Sequence, residues 1–237
     1  MQFKRWLSAV VCCVLIMNSI CFLPLVSSAD DQQTDVDIYH KNKNEYMKIA
    51  LTFDDGPHPR YTPKILELLE EYEIKATFFV VGVNAMNYPD TLDLVTAAGH
   101  EIGNHTYSHP HVSCLDSARL REEVERCESE VFGRTDCRTK LFRPPEGMID
   151  ADVRTVLREL DYKVILWDLD TRDWAHTSPE DIASYVTENV AAGDIILMHD
   201  YIAYDSPTID ALRLFIPVLL ERGYKFVVVS ELIGIEG

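Results

Sequence analysis

From Lys48 onward the chain alternates between two hydrophobic periods. Short apolar runs at 49–53, 77–81, 101–104, 140–142, 163–167, 194–198 and 225–229 have the length and flanking residues of buried strands. Between them the spacing turns helical. Over 61–72, Ile65, Leu68, Leu69 and Tyr72 share one face, and Thr62-Pro63 suits a helix start. The charged stretch 115–131 and the segments 151–160 and 179–190 follow the same logic. Ser178 ahead of Pro179 reads as an N-cap, and Gly193 and Gly223 as helix stops. Strict strand–helix alternation predicts parallel strands joined by crossover helices, an α/β fold of seven units. Two architectures satisfy that count, an open doubly wound sheet or a barrel. The first strand runs into Asp54-Asp55-Gly56-Pro57, with two carboxylates where a nucleotide fold needs bare backbone. Neither an internal repeat nor a second domain is evident.

The first residues follow a different rule. Lys4-Arg5 precedes a nearly uncharged run from Trp6 to Val26, ending in Ser27-Ser28-Ala29. That is the layout of an export signal, and the run is also long enough for an uncleaved membrane anchor. Pro24 favours the cleaved form, and Cys12, Cys13 and Cys21 lack a lipoprotein context. Residues 1–29 are therefore expected to be a signal peptide or membrane anchor, residues 30–47 a polar, flexible lead-in, and 48–237 the working domain. This places the domain outside the cytoplasm, secreted or at the cell envelope.

Composition narrows the partners. The 237 residues, 47% hydrophobic and 26% charged, suffice for one sizeable core and argue against disorder. Lys and Arg number 22 against 39 Asp and Glu, a net charge of −17 that becomes −19 without the first segment. With no basic patch, nucleic acid is excluded as a partner, and a membrane is reached only through the N-terminal segment. The exported part keeps Cys114, Cys127 and Cys137, whose odd number allows one disulfide and a spare thiol but whose spacing makes no zinc knuckle.

Unusual polar residues gather just past the strand ends, where parallel α/β folds build their sites. Asp54-Asp55 follows the first strand, His105-Thr106-Tyr107-Ser108-His109 the third, Arg143-Pro144-Pro145 the fourth, Asp168 to Trp174 the fifth, and His199-Asp200 the sixth. Singly, each has a bland reading as turn, loop or surface charge. Adjacent carboxylates on a strand end point different ways, so one can bind a metal while the other faces a substrate water. Two histidines four apart, placed on one helical turn, converge as a divalent ion requires. With one Asp they form a 2-His-1-carboxylate set. Arg143 is positioned to pair with a carboxylate, and His199 near a metal becomes a natural general acid. Together these residues describe metal-assisted hydrolysis.

Five segments, in order, carry a resemblance: Thr52-Phe53-Asp54-Asp55-Gly56-Pro57, His105-Thr106-Tyr107-Ser108-His109, Arg143-Pro144-Pro145-Glu146-Gly147, Asp170-Thr171-Arg172-Asp173-Trp174 and Leu197-Met198-His199. They resemble the five motifs of the polysaccharide deacetylases of the NodB-homology type, carbohydrate esterase family four. The flanks at 75–80 and 99–104 look like that family too, and the resemblance spans residues 48 to 233. It implies a distorted (β/α)7 barrel, in agreement with the seven units counted from periodicity.

Position by position, the resemblance implies that Asp54 is the catalytic base and that Asp55, His105 and His109 hold a divalent metal. Zinc is the expected ion, with cobalt or another first-row metal as alternatives. Arg143 would orient Asp54. His199 would be the general acid, paired with Asp173, and Asp170 a supporting residue. Trp174 and Leu197 would line the pocket for the acetyl methyl, and the backbone N–H of Glu146 would help stabilise the oxyanion. Glu146 departs from the family, where an aromatic residue, usually Tyr, is common. Its carboxylate would discriminate against anionic substituents on the sugar.

The implied activity is removal of N-acetyl groups from a polymer of N-acetylhexosamine by a monomer, peptidoglycan first and chitin-like oligomers next. Two alternatives are an acetylxylan O-deacetylase and a catalytically idle, glycan-binding barrel.

Overall fold

The computed structural model describes residues 35–42, 46–202 and 205–235. The expected signal or anchor, residues 1–29, lies outside them. Nine strands form one parallel sheet: β1 (Ile38–Tyr39), β2 (Lys48–Asp54), β3 (Thr77–Val80), β4 (Glu101–Asn104), β5 (Leu141–Phe142), β6 (Lys163–Ile165), β7 (Leu169–Asp170), β8 (Ile195–His199) and β9 (Lys225–Phe226). Their order is β1-β6-β5-β4-β3-β2-β8-β7, with β9 paired to the start of β2. The sheet curls into a half-barrel, the distorted (β/α)7 form expected. Helices α1 (Thr62–Glu71), α2 (Gly82–Asn87), α3 (Pro89–Ala97), α4 (Ser117–Thr135), α5 (Ala151–Glu159), α6 (Pro179–Asn189), α7 (Thr208–Glu221) and α8 (Val229–Ile233) accompany it.

The period of two along each strand decides which side chains enter the barrel. On β2, Ile49, Leu51 and Phe53 join a core shared with Ile65 and Leu69 of α1 and Phe215 of α7. The alternate positions, Ala50, Thr52 and Asp54, face inward. Ala50 packs at the base with Phe79, Leu141, Ile165 and Ile195, and α8 closes that end with Val229, Leu232 and Ile233. The same parity carries Leu141 to Arg143, and Ile195 through Leu197 to His199. A strand that is apolar at its base thus ends in a polar side chain at its top. Gly103 serves this packing, because a Cβ there would sit 2.4 Å from the Phe79 ring.

Local signals explain most element ends. Ser178 caps α6 by accepting from the Asp181 N–H at 3.1 Å, as its place before Pro179 predicts. Asp116 and Asp150 cap α4 and α5 in the same way. Gly223, at φ +88°, ends α7. Gly193 differs from expectation. The α6 C-cap is Val190, and Gly193 lies in the following turn, donating to the Lys48 carbonyl.

Three further corrections concern the edges. The lead-in is not a flexible tail from residue 35 on. Val36 is buried, Ile38 and Tyr39 pair with Val164 and Ile165, and Lys41 reaches Asp168 at 2.7 Å. Asp35, Val36, Asp37 and Ile38 alternate polar and apolar, a strand pattern hidden by the polar composition of the segment. The run 225–229 is strand only through Phe226, because Val229 begins α8. The run 163–167 ends as a strand at Ile165, and β7 follows it unanticipated. Cys114, Cys127 and Cys137 are all free thiols, Cys127 buried and donating to the Val80 carbonyl. Among the described residues, no helix is long and apolar enough to cross a membrane.

Candidate active site

The strand tops open into a cleft of ≈ 580 Å³. Asp54, Asp55, His105, His109, Glu146, Asp170, Trp174, Leu197 and His199 all line it, joined by Trp167, Tyr201 and Ile202. Arg143 and Asp173 stand one layer behind, each bonded to a lining residue. The structure thus brings together every residue to which the resemblance assigns a role.

Asp54 ends β2 and is 3% exposed. Its Oδ1 accepts from the Arg143 Nη1–H at 2.7 Å. Arg143 is fully buried and is held by further contacts. It donates to Thr52 Oγ1 at 2.8 Å and to the Ile165 and Leu166 carbonyls at 3.1 and 3.0 Å. Its guanidinium also lies 4.1 Å from the Phe79 ring centre. Burial lowers the pKa of this guanidinium and Asp54 works against that, as expected of a buried charge with a fixed partner. Thr52 sits two residues before Asp54, so the strand period delivers both oxygens to one guanidinium.

Asp55 turns away from Asp54 in the left-handed region, at φ +76°. Its Oδ1 lies 3.5 Å from His105 Nε2 and 3.3 Å from His109 Nε2, and this buried oxygen has no hydrogen-bond partner. His105 Nδ1 meets the Arg143 carbonyl at 2.6 Å, so Nδ1–H donates there and Nε2 keeps its lone pair toward Asp55. One ligand atom from each of the three residues falls within 4.8 Å of the others. An orphaned carboxylate oxygen facing two imidazole nitrogens fits a divalent cation.

The two histidines do not share a helical turn, contrary to expectation. Residues 105–111 form a loop that reverses at Thr106 and His109, φ +67° and +54°. Asn104 Oδ1 accepts from the Thr106 N–H at 2.9 Å, and Thr106 Oγ1 from the His109 N–H at 3.1 Å. Glu123 on α4 clamps Ser108 through its N–H and hydroxyl. The spacing of four still converges, through these loop bonds rather than helical geometry.

Across the cleft, His199 ends β8. Its Nδ1–H donates to Asp173 Oδ1 at 2.8 Å, and its backbone N–H to Asp173 Oδ2 at 2.9 Å. Thr208 Oγ1–H donates to the same Oδ2 at 2.7 Å. Burial opposes charge on His199, but Asp173, then Asp54 and Asp55, outweigh it and push the imidazole up to about 9. It is therefore protonated at neutral pH, and Nε2–H is the proton it can give.

Leu197 is buried below His199, whereas Trp174 stands at the rim, 48% exposed. Asp170 Oδ1 accepts from the Arg172 N–H. Glu146 adopts φ +58° in a short turn, and its carboxylate reaches His111 Nδ1 at 3.0 Å. Gly147 beside it has φ +67°, and a Cβ there would approach the Trp167 ring to 2.9 Å.

Asp200 escaped the residue-by-residue reading. It is 2% exposed, its Oδ2 accepts from Thr62 Oγ1 at 2.5 Å, and its Oδ1 has no partner. Burial pushes its carboxyl up to about 7. Both oxygens press on Gly56, where a Cβ would come within 2.2 Å of them. The signal available was Gly56 itself, a glycine directly after two carboxylates that line the cleft.

The polysaccharide deacetylase family model matches residues 41–165. A peptidoglycan-N-acetylglucosamine deacetylase of Bacillus cereus is 41% identical over 192 residues, covering 80% of this chain and 90% of the relative. A crystal structure of a peptidoglycan N-acetylglucosamine deacetylase in complex with an N-oxidanyl-benzamide superposes with a TM-score of 0.82 at 32% identity, over 84% of this chain and 94% of that one. A family 4 acetyl xylan esterase from Clostridium thermocellum, in complex with a cobalt ion, has a TM-score of 0.73 at 32% identity over 80% and 93%. The chain belongs to the polysaccharide deacetylase family and is a carbohydrate deacetylase, a hydrolase acting on amide bonds.

Proposed function

We propose that this chain is an exported, metal-dependent deacetylase that removes N-acetyl groups from a polymer of N-acetylhexosamine and releases acetate. The observation that carries the reading is the opposition of two prepared groups across one cleft. Asp54 is held by Arg143 on one side, and a protonated His199 is held by Asp173 on the other. Asp55, His105 and His109 would hold the divalent ion, zinc being expected from the mixed imidazole and carboxylate donors. A bound ion of this kind supplies Lewis acidity toward the acetyl carbonyl and the attacking water.

The chain's own residues do the rest. Asp54 accepts the proton of the attacking water, and its bond to Arg143 Nη1 fixes which oxygen is free to do so. His199 Nε2–H protonates the amine as the carbon–nitrogen bond breaks, and Asp173 keeps that proton in place until then. The Glu146 N–H contributes to oxyanion stabilisation, and Leu197 and Trp174 exclude water from the acetyl methyl. Base and acid act from opposite faces, so neither neutralises the other.

Peptidoglycan is the favoured polymer, supported by the relatives named for it and by the signal-like residues 1–29. Chitin-like oligomers come next. Such a protein would work secreted or at the cell envelope, as a monomer. O-deacetylation of xylan is a second reading, favoured by the chain's likeness in fold to the acetyl xylan esterase.

An acetate-release panel over peptidoglycan, N-acetylglucosamine oligomers and acetylxylan, before and after chelation and metal restoration, tests reaction, substrate and ion together. Activity indifferent to chelator refutes metal dependence. Absence of acetate from every glycan favours an idle binding barrel. Asp54→Ala is expected to abolish turnover while retaining metal, and His105→Ala to lose both.

A further inference from the structure

Beside the reacting groups the cleft carries a set of rings that the deacetylation chemistry leaves unused. Tyr201 lies two residues past His199 and lines the same cleft, with the buried Ile202 next to it. Behind it stands His58, from the loop between β2 and α1, meeting the Tyr201 ring edge-on at 4.6 Å and 85°. His58 is itself fixed. It stacks on Tyr61 at 4.8 Å and 27°, and its Nδ1 accepts from the Arg60 and Tyr61 N–H groups at 3.1 and 3.2 Å. Tyr88, at the junction of α2 and α3, approaches His58 at 6.5 Å and pairs with the Tyr201 side chain. Loops following three neighbouring strands, β2, β3 and β8, thus each send a ring to one spot.

We propose that Tyr201, braced by His58 and Tyr88, forms a carbohydrate subsite for the sugar next to the one being deacetylated. The inference rests on the deacetylase reading and deepens it. A pyranose presents C–H groups that pack on an aromatic ring and hydroxyls that bond a phenol at its edge, and Tyr offers both at low entropic cost. Burial and then Arg60 lower the His58 pKa, which favours the neutral form of the ring that braces Tyr201. Its place also fits a chain. Tyr201 stands on the β8–β2–β3 side of the cleft, whereas Glu146 and Trp167 come from the loops after β5 and β6. Asp54 and His199 end β2 and β8 themselves, so a sugar seated on Tyr201 adjoins the reacting groups, and a polymer that also reaches Glu146 and Trp167 spans the cleft. The ring cluster accordingly selects for oligomers over single sugars.

The test compares zinc-loaded wild type, Tyr201→Ala and Tyr201→Phe on N-acetylglucosamine oligomers of one to six units. In Tyr201→Ala, KM for the tetramer should rise on the order of 3- to 10-fold more than KM for the single sugar, the scale of one lost ring contact. Tyr201→Phe should recover most of the wild-type dependence on length. A KM change that is equal at every length, or no change at all, overturns the subsite. So does a Tyr201→Phe variant as impaired as Tyr201→Ala, which would assign the effect to the hydroxyl. A wild type that releases no acetate from any glycan refutes the deacetylase reading instead. Calorimetric binding of the tetramer to wild type and Tyr201→Ala then decides the subsite by itself, equal affinities overturning it.

Discussion

Replacing Asp173 by Asn should move the alkaline limit of activity by more than two pH units. Asp173 accepts the His199 Nδ1–H at 2.8 Å and is its largest favourable partner, holding the imidazole at about 9. An ordinary imidazole titrates near 6.5, so the site favours the protonated form by about 3 kcal/mol. Asn keeps the shape and an oxygen acceptor but removes the charge, so that only the smaller effects of Asp54 and Asp55 are left to oppose burial of His199. With the imidazole returned to about 6.5, its protonated fraction at pH 8 falls from about nine-tenths to about 3%, so kcat/KM there should drop about thirtyfold. Near pH 6 the loss should be small. The amide nitrogen would face two donors, the His199 N–H and Thr208 Oγ1–H, so Tm should fall as well. The assay is acetate release by the metal-loaded protein from pH 5 to 10, each profile scaled to its own maximum. An unmoved alkaline limb would refute the general-acid assignment. The same pairing sets a stability window. Because the folded-state pKa of His199 is raised, its contribution is complete below about 6.5 and lost as pH rises through about 9.

Arg143→Lys should unfold at markedly lower denaturant, by about 3–5 kcal/mol, since a lysine cannot serve Asp54, Thr52 and the Ile165 and Leu166 carbonyls at once; a midpoint within error of wild type would contradict the clamp. Asp200 is destabilising once ionised, so stability of the wild type should fall between about pH 4 and 7, the interval from its ordinary pKa to its raised value of about 7. Asp200→Asn should flatten that slope in pH-dependent urea titrations. Gly56→Ala should be poorly folded, its new methyl meeting the Asp200 carboxylate, and expression of a stable, fully active protein would show the loop to be soft.

Much of this was legible in the chain because strand periodicity and function coincide. On β2 the alternation Ala50, Thr52, Asp54 is at once the inward face and the approach to the cleft, so the period of the strand marks the site. Ser178 before Pro179 announced its helix without help from the fold. What could not be read depends on contacts distant in sequence. The His105–His109 loop converges through Thr106, Asn104 and Glu123, and spacing alone suggested a helical turn instead. Ile38–Tyr39 became a strand because β6 offered an edge 126 residues away, something a polar segment does not advertise. Asp200 and Thr62 are 138 residues apart, and neither type is unusual alone.

Arg143 has a consequence for how such a protein can change. Its side chain holds Asp54 while its backbone carbonyl orients His105. The peptide group survives any substitution, whereas the guanidinium survives none. A substitution at Arg143 would therefore release Asp54 while leaving in place the carbonyl that orients His105, so the two sides of the cleft respond separately to a change at one residue.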